Sequence, residues 1–389
     1  MDLYSNRLKI AVIAHGLHAG GGQVVGVNIL SSIKEVNKQN EFYFILPNKN
    51  SYREIKLEEG GHKTFYYNRR FGHLGRWFFD TFILKPKVIY YKPDIILGLG
   101  NLALKKPTAP QAVLVLLPYL FYNYKHLNNI SLVDKLQINF ICKHFRKQLD
   151  ETNLIFVQTN TIKKRLLEKF QYSGKIVVIG NAILPFKTNS LMTNDIPRII
   201  SDSSDKFKIF YLTRYYPHKG LEFLVDMVDL HRNEFDDIVV IITIESKQGK
   251  GAANLLREIK KKRLDKIILN AGPLCREELP LYYNNCDCLF MPTRFESFSS
   301  TYLEAMYFDM PILTSNLDFA HEICGDAALY FNPWDISSAK DAIIEIKNDS
   351  QLRNFLVIKG KRHLSNIAKR SWDEIACDMV NKLESLGGR

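Results

Sequence analysis

The chain is 389 residues long, 46% hydrophobic and 24% charged. This is the balance of a soluble globular protein, with no low-complexity tract, and a length that suits two α/β domains better than one core. The longest apolar runs, Ile10 to Ala14 and Ala112 to Leu117, are strand-length and fall far short of the ~20 residues that cross a bilayer.

The N-terminus, Met1-Asp2-Leu3-Tyr4-Ser5-Asn6-Arg7, lacks the charged start, apolar stretch and small-residue cleavage site of a secretory leader, so a cytoplasmic location is expected. Net charge is +12 and unevenly placed: residues 1–185 hold 26 Lys and Arg against 12 Asp and Glu, the remainder 27 against 29. A basic first half implies an anionic partner there, a membrane surface with acidic lipids or a phosphate-bearing acceptor. Nucleic acid is not expected, because the cations are spread over many elements without a DNA- or RNA-binding motif. Six cysteines, at 142, 275, 286, 288, 324 and 377, include one Cys-x-Cys pair without a second pair to close a zinc site, and are read as buried free thiols.

In chain order, short β-branched runs alternate with amphipathic stretches, the signature of βαβ units and a parallel sheet. Strands are expected at Leu8 to Ala14, Phe42 to Leu46, Ile95 to Leu97, Val113 to Leu117, Leu154 to Gln158 and Ile176 to Ile179. The polar stretch 187–206 has no sustained periodicity and reads as a linker between a first domain, 1–186, and a second, 207–370. Alternation resumes with strands at Lys208 to Leu212, Ile238 to Ile244, Lys266 to Asn270, Cys288 to Met291 and Pro311 to Thr314. Residues 371–389 carry a last helix, with Ile375, Ala376, Met379, Val380 and Leu383 at helical spacing and Ser371 as its cap.

Three places carry chemistry. After the first strand, Gly16-Leu17-His18-Ala19-Gly20-Gly21-Gly22-Gln23 precedes a helical stretch, Val24 to Val36. Glycines at a strand-to-helix junction let backbone N–H groups approach a ligand, and the helix start favours negative charge. A flexible turn explains them equally well, and the spacing is not the G-x-G-x-x-G of dinucleotide folds. The second domain opens with Leu212-Thr213-Arg214-Tyr215-Tyr216-Pro217-His218-Lys219-Gly220, beyond a strand's carboxyl end, where open α/β sheets bind ligands. Arg214 and Lys219 suit a diphosphate whose leaving-group charge grows, or are two solvated loop cations. The densest stretch, 291–306, places Glu296 in a polar loop and Glu304 one turn into a helix beginning near Thr301. Carboxylates accept bidentately from vicinal sugar hydroxyls, but Thr301-x-x-Glu304 is also a capping box.

Taken together, Arg214-x4-Lys219-Gly220, Glu296-x7-Glu304 followed by Ala305-Met306, Pro311-Ile312-Leu313 and Glu322-Ile323-x-Gly325-Asp326-Ala327-Ala328 resemble the glycosyltransferase group 1 family. The likeness is strongest from about Phe207 to Pro333. It implies a GT-B fold: two Rossmann-like domains facing across a cleft, with the C-terminal helix crossing back to the first. It implies a retaining, metal-independent hexosyltransferase of the kind that builds bacterial surface polysaccharide. By the same resemblance, Arg214 and Lys219 hold the donor diphosphate, Glu304 the ribose hydroxyls and Glu296 the donor sugar. Phe298, Ser299, Ser300 and Thr301 touch sugar and distal phosphate, Gly272, Pro273 and Leu274 lie against the base, and Gly21 and Gly22 face the phosphates from the first domain. The donor is a nucleotide sugar, a UDP-sugar by expectation, and a substrate rather than a cofactor; neither a metal nor a bound cofactor is expected.

The chain departs from the family pattern in places. Ser297 and Ser299 stand where glycines are usual, Thr213 replaces a frequent glycine, and Asp309-Met310 precedes Pro311 in place of the expected glycine. The histidine often found after the first-domain strand is absent from Leu116-Leu117-Pro118-Tyr119-Leu120-Phe121, and neither His15 nor His126 is assigned its role. Asn68 to Phe79 and Tyr119 to Lys125 mix cations with aromatics, a composition suited to a membrane interface or to a core-facing helix edged by solvated Arg. With the basic first half they point to a peripheral position on an anionic membrane and a saccharide acceptor that is lipid-linked. A nucleotide-sugar epimerase of similar fold and a non-catalytic sugar-binding homologue remain alternatives.

Overall fold

The computed structural model describes residues 7–37, 39–60, 62–68, 80–101, 104–124, 127, 130–184, 186, 196–367 and 370–387. The chain divides into two compact units, one of Met1–Asn123, Ile130–Ala182 and Arg370–Arg389, the other of Tyr124–Asn129 and Ile183–Lys369.

The first unit holds seven parallel strands: β1 Lys9–Ile13, β2 Glu41–Pro47, β3 Lys63–Tyr67, β4 Ile95–Leu99, β5 Gln111–Leu114, β6 Leu154–Val157 and β7 Lys175–Val178. Their order is β3-β2-β1-β4-β5-β6-β7, reversing direction between β1 and β4. The second unit repeats the plan with β8 Phe207–Tyr211, β9 Ile238–Ile242, β10 Ile268–Asn270, β11 Cys288–Met291, β12 Ile312–Ser315 and β13 Ala328–Phe331, ordered β10-β9-β8-β11-β12-β13. Helices cover sheets of this kind on both faces, so inner strands read as unbroken apolar runs: Ile95-Ile96-Leu97-Gly98-Leu99 in β4 and Ile238-Val239-Val240-Ile241-Ile242 in β9 are buried throughout. Each unit is a Rossmann-like α/β layer structure. Each has a switch point, β1/β4 and β8/β11, where loops leaving the carboxyl ends of adjacent strands diverge and leave a crevice.

The last helix, Trp372–Glu384, belongs to the first unit and packs along the Gly20–Val36 helix. Ser371 caps it through a reciprocal pair with Glu374, and Trp372, Ile375, Ala376, Met379, Val380 and Leu383 form its buried stripe. Asn40 Nδ2 donates to Glu384 Oε1 at 2.7 Å, fixing its far end.

Several expectations need correction. β3 and β13 were not expected as strands; the β3 side chains are exposed or half-buried, and β13 is four residues long with buried ends and a half-buried middle, so no alternation marks either. The strand expected at Val113 to Leu117 runs over Gln111–Leu114. The first helix starts at Gly20, not Val24, so the three glycines form its first turn rather than a loop before it. Cys275 and Cys377 are exposed; Cys288 and Cys324 are buried and Cys142 and Cys286 lie between. Of the linker region, 187–195 lies outside the described residues, and Arg198–Ser201 forms one helical turn.

Candidate active site

β8 and β11 are register neighbours, with Ile209 opposite Cys288 and Phe210 opposite Leu289, so the loops that follow them leave the sheet side by side. The first carries Arg214 to Gly220, the second Pro292 to Ser299. They are tied by Arg294 N, which donates to His218 O at 2.8 Å, and by stacking of the His218 ring on Phe295, centroids 5.1 Å apart. Tyr211, fully buried at the end of β8, donates its hydroxyl to the Lys219 carbonyl. Gly220 follows at φ 73°, and a Cβ there would run into the Pro292 carbonyl oxygen. A left-handed residue with no side chain is therefore required where the two loops touch.

This framework delivers Lys219 Nζ onto Glu296 Oε1. Their side chains are only 16% and 9% exposed. Such a pair costs desolvation on both sides, and its retention beside a strand end puts two opposite charges and their unused donors and acceptors in one place. Arg214 sits at the mouth of the same loop and is exposed. Thr213, in place of the frequent glycine, donates its N–H to Thr243 Oγ1 and accepts from it, both at 2.8 Å, pinning the ends of β8 and β9.

Glu304 lies in the Ser300–Tyr307 helix and is buried. Tyr283 donates to its Oε2 at 2.9 Å, and Arg276 Nη1 stands 3.9 Å from Oε1. Burial raises the Glu304 carboxyl above its ordinary range, and the Tyr283 hydroxyl and Arg276 charge only partly draw it back. The two readings of this glutamate are thereby separated: the helix begins at Ser300 with Ser299 as N-cap, no side chain caps it, and the carboxylate turns to Tyr283 and Arg276 instead. Arg276 itself lies over the Phe186 ring at 4.1 Å and donates to Leu184 O at 2.6 Å. Phe298, Ser300 and Thr301 are partly buried and Ser299 is buried, lining the start of this helix.

The Gly272, Pro273, Leu274 loop follows β10. Asn270 Oδ1 accepts from Gly272 N and Ile244 N, both at 3.2 Å, and Gly272 takes φ 76°. Four residues on, the same segment supplies Arg276, so this loop and Glu304 share one neighbourhood. Sequence reading missed Arg276, Tyr283 and His218. Their signal is contact across 21 or more residues of chain, or an aromatic stack, and neither is visible as spacing.

In the first unit, Gly21 and Gly22 occupy the opening turn of the Gly20–Val36 helix. A Cβ at Gly21 would meet nothing within 4 Å, whereas one at Gly22 would press on Leu17 at 3.3 Å. His15 is buried at the end of β1, with Nε2 2.7 Å from Asp80 Oδ1 and its ring edge-on to Tyr67. The aromatic-cationic stretch 69–79, Lys125 and His126 lie outside the described residues.

Two Rossmann-like units, with cations and carboxylates gathered at the switch point of the second, define a GT-B type of protein. Residues 193–363 match the family described as glycosyl transferases group 1. The chain is 21% identical over 262 residues to the O-antigen chain mannosyltransferase B of Escherichia coli, 65% of this chain and 66% of that protein. It is 22% identical over 252 residues to the capsular polysaccharide biosynthesis glycosyltransferase CapM of Staphylococcus aureus, 63% of this chain and 59% of that protein. The chain thus matches less than two thirds of the length of either relative. Among solved structures, a sucrose-phosphate synthase from Thermosynechococcus elongatus superposes with TM-score 0.73 at 14% identity, covering 98% of this chain and all of that one. Anabaena HepE in complex with UDP and glucose superposes with TM-score 0.68 at 15% identity, covering 97% of this chain and all of that one.

Proposed function

We propose that this chain is a retaining glycosyltransferase that moves a hexose or N-acetylhexosamine from a UDP-sugar to a saccharide acceptor in bacterial surface-polysaccharide synthesis. The observation that carries the reading is the Lys219–Glu296 pair at the β8/β11 switch point, with Glu304 buried between Tyr283 and Arg276 nearby. The relatives' names support the polysaccharide setting, and the UDP and glucose bound by HepE support the donor class.

In this reading Lys219, using the N–H donors that Glu296 leaves, and Arg214 neutralise the donor diphosphate. Glu296 accepts a hydroxyl of the transferred sugar, and Glu304 accepts from the ribose. The acceptor hydroxyl oxygen forms its bond to the anomeric carbon on the face from which the diphosphate departs. The hydroxyl proton passes to a departing phosphate oxygen, and the electron pair of the broken C–O bond leaves with the diphosphate. Retention then needs no protein nucleophile, and the protein contributes placement and charge stabilisation. Gly21 and Gly22, in the opening turn of their helix, offer backbone N–H groups suited to an anion. Two protein cations take the part that a divalent ion plays elsewhere, so transfer is metal-independent. The acceptor is lipid-linked, and the enzyme works peripherally at the inner face of an anionic cell membrane.

A thermal-shift and turnover screen with UDP-, GDP-, ADP- and dTDP-sugars tests this. Stabilisation by UDP-sugars, weakened about tenfold or more in affinity by Arg214→Ala or Glu304→Gln, is expected from the loss of one charge-assisted bond. Full activity in the presence of chelator is expected as well. No shift with any nucleotide would sink the donor site, and donor isomerisation without acceptor would identify an epimerase.

A further inference from the structure

The charge excess of the first unit has an address. In the Leu132–Leu149 helix, Ile138, Phe145 and Leu149 face the core, while Leu132, Leu136 and Phe140 are 74%, 62% and 40% exposed. Residues 132, 136, 140, 143 and 147 follow one another at three- and four-residue steps, so Lys143 and Lys147 prolong the exposed apolar stripe. From Lys135 to Leu149 the helix has four Lys and Arg and no acidic residue. Partial burial together with Lys147, Lys105 and Lys143 holds His144 below its ordinary range, which marks the local potential as positive.

A second segment of the same character lies on the same side of the sheet. Ile13 is registered with Gly98, Gly98 with Val113, and Val113 with Ile155, so the side chains of Ile13, Val113 and Ile155 share one face. Leu84, Val88 and Tyr91 pack on that face with Ile13 and Ala11. Phe145 and Leu149 line a crevice with Val113 and Ile155. The Lys85–Tyr91 helix and the Leu132–Leu149 helix therefore both cover it. Outward, the Lys85–Tyr91 helix presents Ile89 and Tyr90, the latter 90% exposed, with Lys92 following.

We infer that this helical face of the first unit, Leu132, Leu136, Phe140, Lys143 and Lys147 together with Tyr90, docks on an anionic lipid bilayer. Apolar side chains enter the headgroup boundary while the lysines meet acidic headgroups, the two contributions that together hold a peripheral protein. A second copy of the chain is the poorer occupant, since it brings further lysines and, between Lys135 and Leu149, no acidic residue to answer them, whereas acidic headgroups do. The inference rests on the proposed function only in taking a membrane as the place where the acceptor is met.

Co-sedimentation at low salt, with vesicles of phosphatidylcholine alone or mixed equally with phosphatidylglycerol, tests it on the full chain. The wild type should bind the mixed vesicles and release in high salt. Leu136→Ser/Phe140→Ser and Lys143→Gln/Lys147→Gln should each lower partitioning about tenfold, with circular dichroism and thermal unfolding unchanged because all four positions are at the surface. Wild-type binding that both variants keep would overturn this surface and leave membrane attachment standing. Failure of the wild type to bind anionic vesicles would overturn the bilayer as occupant, while the donor screen would still judge the enzyme reading. A dimer that these substitutions dissociate, with vesicle binding unaltered, would assign the face to a second copy.

Discussion

His218 sits one residue from the cation of the site, its ring between Tyr216 and Phe295, and burial with the Lys219 charge holds its imidazole well below 6.5. The folded protein thus keeps His218 neutral where the unfolded chain, titrating near 6.5, takes up a proton. The unfolded state binds more protons below that value, so stability is lost as pH falls, by up to about 1.4 kcal/mol per pH unit for one group. His218→Phe keeps the stack and removes this titration. Its thermal midpoint relative to wild type should be constant between pH 8 and 7 and climb as pH drops toward 5; a pH-independent offset would mean that His218 titrates normally. The same locality explains what could be read from sequence here. Lys219, Glu296 and Glu304 stand at fixed spacings in a motif and were legible. Arg276 and Tyr283, which hold Glu304, come from a different loop and helix, and only the folded sheet brings them to it.

At the scale of elements, the β8 and β11 loops depend on Gly220. Alanine there would adopt an unfavourable left-handed backbone, about 1–2 kcal/mol, and would also press its Cβ on backbone that has little room to yield. Gly220→Ala should lower the thermal midpoint by roughly 5 °C or more and weaken nucleotide binding through displaced Lys219. Asp309 is the contrasting case. It takes φ 58° where the family has glycine nearby, and Asp tolerates that region, so Asp309→Gly should be close to neutral. Buried strands β4 and β9 were legible because parallel sheets demand continuous apolar runs, whereas β3, Lys-Thr-Phe-Tyr-Tyr with every side chain exposed or half-buried, and β13, only four residues long, carry no such run.

Across the whole molecule, the first unit is completed by the final residues of the chain. The five large buried side chains of the Trp372–Glu384 helix, Trp372, Ile375, Met379, Val380 and Leu383, at about 1.5–3 kcal/mol each, are comparable with the ~5–15 kcal/mol by which a domain is stable. Ending the chain at Lys369 should therefore unfold the first unit, read as lost far-ultraviolet signal and rapid proteolysis of 1–182, while the second unit stays folded and resists the protease. Survival of the first unit would show the helix to be an accessory layer. The arrangement also sets an order of events during synthesis. Residues 1–182 leave the ribosome first yet cannot close their core until more than half of the chain has followed, so the second unit has the opportunity to fold before the first is finished. A stop codon within the segment encoding that helix would then yield a protein whose second unit is intact and whose first unit is exposed to quality-control proteases.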